Sequence, residues 1–295
     1  MSASLSSHST FTNSPGFRML RQVYRNHSAQ FGGVLLLTLI FMCYAAPLFT
    51  SKDPDKTNPT QALMAPSLNH LMGTDGIGRD NFTRFLYGGQ LSLRVGLVAI
   101  TIGALIGIAL GLIAGFFGGW LDSFLSWFND VLMSFPDILL ALAIIAILGP
   151  GIQNAMLAIG ISFVPSFMRL TRSNVLSLRE MTYVEAARAL GSSNARIMVR
   201  HILLNSVRTL LVLVTLGIGS SILAGAALNF LGLGAQPPTP EWGAMLNAGM
   251  KYVRQAWWLT VFPGLGIFLA VLSINLIGDA VSDAMAGTVT THEKK

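Results

Sequence analysis

The chain has 295 residues, with 19 Lys or Arg and 13 Asp or Glu, a charged fraction of 11% against about 25% in an average soluble protein. With 52% hydrophobic residues and a mean hydropathy of +0.60, it has too little charge to cover a soluble globule and too much apolar surface to stay disordered. The lone Cys43 excludes a disulfide framework or a cysteine-based metal site within the chain, and the net charge of +6 cannot point to nucleic acid until the charges are placed.

Uncharged stretches set the organisation: 31–50, 95–121, 138–168, 209–240 and 255–278. Each is long enough for a hydrocarbon core of about 30 Å, and backbone in lipid must satisfy itself, which predicts helices. The third stretch is divided by Gly149-Pro150-Gly151. Six spans are expected, at 31–50, 93–117, 123–148, 152–170, 206–232 and 257–280. Gly103, Gly107, Gly111 and Gly115 share one face of the second span, which suits close approach of another helix, inside the bundle or from a partner. Pro136 and Pro165 are of a kind that membrane helices tolerate. The first span is long for a signal-peptide core and is read as retained.

An even number of spans places both termini on one side. That side carries Arg18, Arg21, Arg25, Arg169, Arg172, Arg179, Arg188, Arg196, Arg200, Arg208, Lys294 and Lys295. The other carries Lys52, Lys56, Arg79, Arg84, Arg94, Lys251 and Arg254, with Asp53, Asp55, Asp75 and Asp80 beside the first four. The richer side is expected to be cytoplasmic, because Lys and Arg in short loops set topology. Trp257 and Trp258 suit the outer interface at the start of the last span. Two loops exceed mere connectors, an external one at 51–92 and a cytoplasmic one at 171–205.

Catalytic signatures are missing. No Gly-Lys pair occurs, so there is no phosphate-binding loop. None of His8, His27, His70, His201 and His292 lies well inside a span. Gly73-Thr-Asp-Gly-Ile-Gly78 follows no expected strand and reads as a turn cluster. Acids near the membrane core are functional candidates by default. Asp122, Asp130 and Asp137 fall on one broad side of a helix, either lining a polar path or meeting nearby arginines at the interface. Asn129, Asp130, Asp137, Asn154 and Asn229 are the polar pathway candidates.

Residues 178–204 read as two short helices. Tyr183, Ala187 and Leu190 recur on one apolar face, Gly191 suits the C-cap, and Ser192 or Ser193 suits the next N-cap. Such a unit suits either a groove in a soluble partner or the membrane surface.

Glu185-Ala186-Ala187, then Gly191, then Leu203 resembles the EAA loop of bacterial ABC importer permeases. That pattern closes Ile-x-Leu-Pro, whereas this chain has His201-Ile-Leu-Leu204. Leu71-Met-Gly-Thr-Asp-Gly-Ile-Gly-Arg-Asp80 and Asn229-Phe-Leu-Gly-Leu-Gly-Ala-Gln-Pro-Pro-Thr-Pro-Glu-Trp-Gly243 resemble external segments of the dipeptide, oligopeptide, nickel and glutathione systems. The similarity covers about 30–285 and points to their C-type subunit.

The resemblance implies an all-α integral membrane protein of the bacterial inner membrane. It would have one N-terminal span, a periplasmic segment at 51–92 and a five-helix MetI-like permease core at 93–285. The tails at 1–30 and 286–295 would be cytoplasmic. It implies pairing with a homologous B-type permease, two cytoplasmic ATPases and a periplasmic or lipid-anchored binding protein, with no nucleic acid. Tyr183, Glu185, Ala186, Ala187, Arg188, Leu190 and Gly191 would dock on an ATPase. No cofactor or metal is expected in this chain, since ATP and magnesium would sit on the ATPases. Peptide is the expected cargo, with nickel or glutathione as alternatives. A stand-alone carrier would instead show repeat symmetry and buried ion ligands, and neither is read here.

Overall fold

The computed structural model describes residues 21–290, and for 286–290 the backbone alone. Among these residues the chain is helical, with a single isolated antiparallel bridge between Thr74 and Asp80. The main helices are α1 (His27–Tyr44), α2 (Asn81–Phe117), α3 (Gly119–Met133), α4 (Asp137–Leu148), α5 (Ile152–Leu178), α6 (Thr182–Ala189), α7 (Asn194–Phe230), α8 (Trp242–Met250) and α9 (Trp258–Thr290). Arg18, Lys294 and Lys295 lie outside the described residues.

Four helices, α1, α2, α7 and α9, are long and apolar enough to cross a membrane. The expected span at 123–148 is not one helix. It breaks into α3 and α4, which bend by 95°. Pro136 explains the break, because proline has no N–H to donate and its ring clashes with a preceding helical carbonyl. The 27-residue α5 is long enough to cross, but Gln153, Asn154, Ser162, Ser166 and Arg169 dilute its apolar character. The six expected spans therefore become four clear ones, a bent pair and one more polar helix.

Helix ends also differ from expectation. The second span begins at Asn81 rather than 93, because Asp80 caps it. The Asp80 carboxylate accepts bonds from Thr83 N (3.0 Å) and Thr83 Oγ1 (2.8 Å). The fifth begins at Asn194 rather than 206, because the loop's second helix runs straight into the span. Its first turns include a π-helical stretch, Ile197–Leu203.

The glycine stripe packs inside the bundle, against α5. A Cβ on Gly107 would stand 2.5 Å from the Phe167 Cβ, and one on Gly111 2.6 Å from the Met168 carbonyl. Backbones this close leave no room for a methyl group, the behaviour expected of small residues at four-residue spacing. Elsewhere α1, α2, α7, α8 and α9 share a core that includes Cys43, Phe85, Leu86, Ile222, Trp242 and Ile274.

The two ends of the bundle are built differently. At one end lies α6 with the turns around it, and Arg179 reaches the Gly115 carbonyl at 2.9 Å. At the other, residues 45–80, 149–151 and 231–257 are tied together. Gly151 N donates to Leu233 O (3.0 Å), and Arg84 donates to the carbonyls of Pro54 (2.8 Å) and Pro238 (3.0 Å). Trp258 is buried and donates to Thr74 O at 3.2 Å, so of the tryptophan pair Trp257 alone is free to meet an interface.

Candidate functional site

The loop between α5 and α7 folds because its own small core holds it. Val184 and Ala187 from α6 are buried with Val175, Ile197 and Ile202, while Leu112 and Phe116 pack alongside. The buried face is thus one residue away from the expected Tyr183, Ala187 and Leu190. Tyr183 is exposed, stands beside the His201 ring (6.4 Å between centroids) and accepts a long bond from Asn205 (3.4 Å). Leu190 is 86% exposed. The shift arises because Val184 and Ala187, three apart, already fill the available hollow.

Gly191 has φ +78° and closes α6 with two bonds, Gly191 N to Arg188 O and Ser192 N to Ala187 O, both 3.0 Å. That pair of bonds is a Schellman cap, and its left-handed residue favours glycine. Ser193, rather than Ser192, caps the following helix, accepting from Arg196 N at 3.4 Å. The outcome is a short rigid helix whose outer side presents Glu185, Ala186, Arg188 and Leu190. Where the EAA pattern has proline, Leu204 lets the helix continue unbroken into α7.

The polar candidates separate into three kinds. Asp122 and Asp130 are paired with arginines of α5. Arg172 Nε and Nη2 reach Asp122 at 2.5 and 2.7 Å, and Arg169 Nη2 reaches Asp130 at 2.8 Å. Two acids eight positions apart meet two arginines three apart, so α3 crosses α5 obliquely rather than running beside it. Asn154 and Asn229 hold backbone. Asn154 donates to Leu148 O (2.9 Å) and Gly149 O (3.1 Å), and Asn229 donates to Gly225 O (2.7 Å) while accepting from Ala235 N. Asn129 is buried, and its Oδ1 has no partner among the described residues.

Asp137 stands apart. The bend removes it from the face shared by Asp122 and Asp130. It lies at the start of α4, in a cavity of about 310 Å³ that Ser162, Phe163 and Ser220 also line.

Three groups at the opposite end carry structure that the sequence alone did not reveal. Asp80 accepts from Lys52 Nζ (2.7 Å) and lies 2.7 Å from His70 Nδ1. Burial would raise its carboxyl, but the bonds from Lys52, Thr83 and His70 hold it below the ordinary range. Arg84, buried, pairs with Asp55 at 2.9 Å as well as with its two carbonyls. Glu241 is buried and caps α8, accepting from Ala244 N (2.9 Å) and Ser92 Oγ (2.6 Å). Burial pushes it up to about 7. The charges were visible as a balanced external set, but their pairing needed the fold.

A bundle of helices long and apolar enough to cross a membrane, with a capped helical loop at one end, defines the class: a helical integral membrane protein. Comparison then fixes the family. Residues 107–290 match the family described as binding-protein-dependent transport system inner membrane component, and residues 14–66 match the N-terminal TM domain of oligopeptide transport permease C. The chain belongs to this family of ABC importer permeases. It is 48% identical to the dipeptide transport system permease protein DppC of Alkalihalophilus pseudofirmus, over 92% of this chain and 90% of that one. It is 43% identical to the glutathione transport system permease protein GsiD of Pectobacterium atrosepticum, over 90% and 88%. An inward-facing crystal structure of the MetNI methionine ABC transporter shares the fold. It matches with a TM-score of 0.55 and 18% identity, over 68% of this chain and 96% of that one. As a member of an ABC importer family, the chain works with ATPase, binding-protein and second-permease partners.

Proposed function

We propose that this chain is the C-type half of the translocation pathway of a bacterial inner-membrane importer of di- or oligopeptides. Its other half is a homologous B-type permease. Two cytoplasmic ATPases bind ATP and magnesium, and a periplasmic or lipid-anchored binding protein delivers cargo. The relatives named for dipeptide and for glutathione support cargo with a peptide backbone.

The observation that carries the coupling role is the α6 turn. Val184 and Ala187 fasten the helix to the ends of α2 and α5, and Gly191 closes it. Glu185, Ala186, Arg188 and Leu190 are left facing outward. A helix anchored on one face and free on the other transmits displacement instead of absorbing it. When the ATPases close on ATP, they push α6. Because α7 continues unbroken from the loop into the bundle, the push reaches the pathway and shifts it between inward- and outward-facing states. The arginines of 169–208 surround this contact and keep the loop in the cytoplasm.

Labelling of single cysteines tests the reading, with Cys43 buried and silent. A cysteine at Leu190 should cross-link to an ATPase subunit and be reached only from the cytoplasm, and a cysteine at Ser67 should be reached only from outside. Reversed access, or a Leu190 site with no ATPase cross-link, overturns it.

A further inference from the structure

Of the three acids on α3 and α4, Asp122 and Asp130 have arginines. Asp137 differs: among the described residues no hydrogen bond or ion pair reaches its carboxylate. It is exposed, so the 310 Å³ cavity that it lines opens at the surface of the single chain.

The depth of this cavity follows from helix lengths. α4 has 12 residues, about 18 Å of helix, roughly half of the ~30 Å hydrocarbon layer. Asp137 is at the end of α4 away from the 149–151 turn, so it lies near the membrane midplane. Ser162 and Phe163, across the cavity, sit a comparable distance along α5 from its start at Ile152. The backbone break at 134–136 is at the same level. Irregular backbone at membrane depth is tolerated only where it is buried in protein or lines a water-filled cavity.

The lining has one charge. Two hydroxyls, Ser162 and Ser220, donate to carbonyls of their own helices at 2.8 and 3.5 Å, so each oxygen has only acceptor capacity left to offer. The remaining wall is apolar, including Phe163, Leu223 and Leu228. A negative charge with acceptors around it and no donor beside it recognises a cation that can donate several hydrogen bonds. A protonated primary amine has that chemistry, with three N–H donors.

We propose that Asp137, with Ser162 and Ser220, forms a midplane station that receives the α-ammonium group of the cargo, while the apolar wall takes its side chain. The assignment rests on the peptide-importer reading, since peptides and glutathione both bear such a group.

The test uses the full complex in proteoliposomes with saturating binding protein, Ala-Ala as probe, and peptide delivered per ATP hydrolysed as the readout. Asp137→Asn should lower that ratio about tenfold, the scale of one charge-assisted hydrogen bond. ATP turnover should stay within about twofold, and Asp137→Glu should recover most of the delivery. An unchanged ratio in Asp137→Asn overturns the inference. So does loss of the permease dimer in that variant, which would assign Asp137 to a cation of the partner permease. A wild-type complex that hydrolyses ATP but never delivers Ala-Ala refutes the cargo reading itself, and the inference with it.

Discussion

Ser92 of α2 donates a 2.6 Å hydrogen bond to Glu241, 149 residues further along the chain, and the same hydroxyl accepts from Trp242 N at 3.1 Å. One serine thus joins a spanning helix to the cap of α8. This relationship anchors the 231–257 segment to the bundle, and it places a carboxyl where water does not reach.

Burial raises the Glu241 carboxyl from 4.5 to about 7, which gives a pH prediction. A raised carboxyl contributes stability that is present below its unfolded value and is lost as pH rises through its folded value. The window is about pH 4.5 to 7, and the effect is on the order of 3 kcal/mol. Glu241→Gln mimics the protonated form. The melting temperature of the variant should therefore gain on the wild type as pH goes from 5 to 8. A gap that stays constant across that range would refute the assignment.

The α2–α5 contact gives a packing prediction. Gly107→Val would drive new methyls into Phe167 and the Val164 carbonyl, both within 2.6 Å of its Cβ position. Such overpacking costs about 1–3 kcal/mol. Gly33→Val is the control, because nothing lies within 4 Å of its Cβ position. Thermal melts of the purified chain should show a clear loss for the first and little for the second. Equal melts would show that α2 and α5 do not meet on this stripe.

The coupling loop gives a third. Gly191→Asp places a side chain at φ +78°, costing about 1–2 kcal/mol and opening the cap of α6. Glu185→Lys reverses a charge on the outer face. Both should abolish ATP-driven uptake while membrane insertion remains normal, and ATPase co-purification should fall. Normal uptake together with normal co-purification in both variants would sink the docking role.

Much of this is legible in the sequence. Uncharged runs located the apolar helices, because lipid imposes length and composition together. The Glu185–Gly191 turn was legible because its cap chemistry is local. Three things were not. The break at Pro136 is one, since sequence shows that a proline is present but not whether neighbouring helices hold the freed carbonyl. The buried face of α6 is another, because an eight-residue helix offers too few positions to fix its phase. The distinct status of Asp137 is the third: three similarly spaced acids look alike in sequence, and only the fold pairs Arg169 and Arg172 with the other two.

On the proposed reading, this chain moves cargo only when partner ATPases drive it, through α6. The most direct measurement is uptake of labelled Ala-Ala into proteoliposomes, comparing the chain alone, the permease pair, and the complete complex with binding protein and ATP. Uptake should occur only in the complete complex and vanish with Glu185→Lys. Transport by this chain alone, without ATPases, would contradict the account.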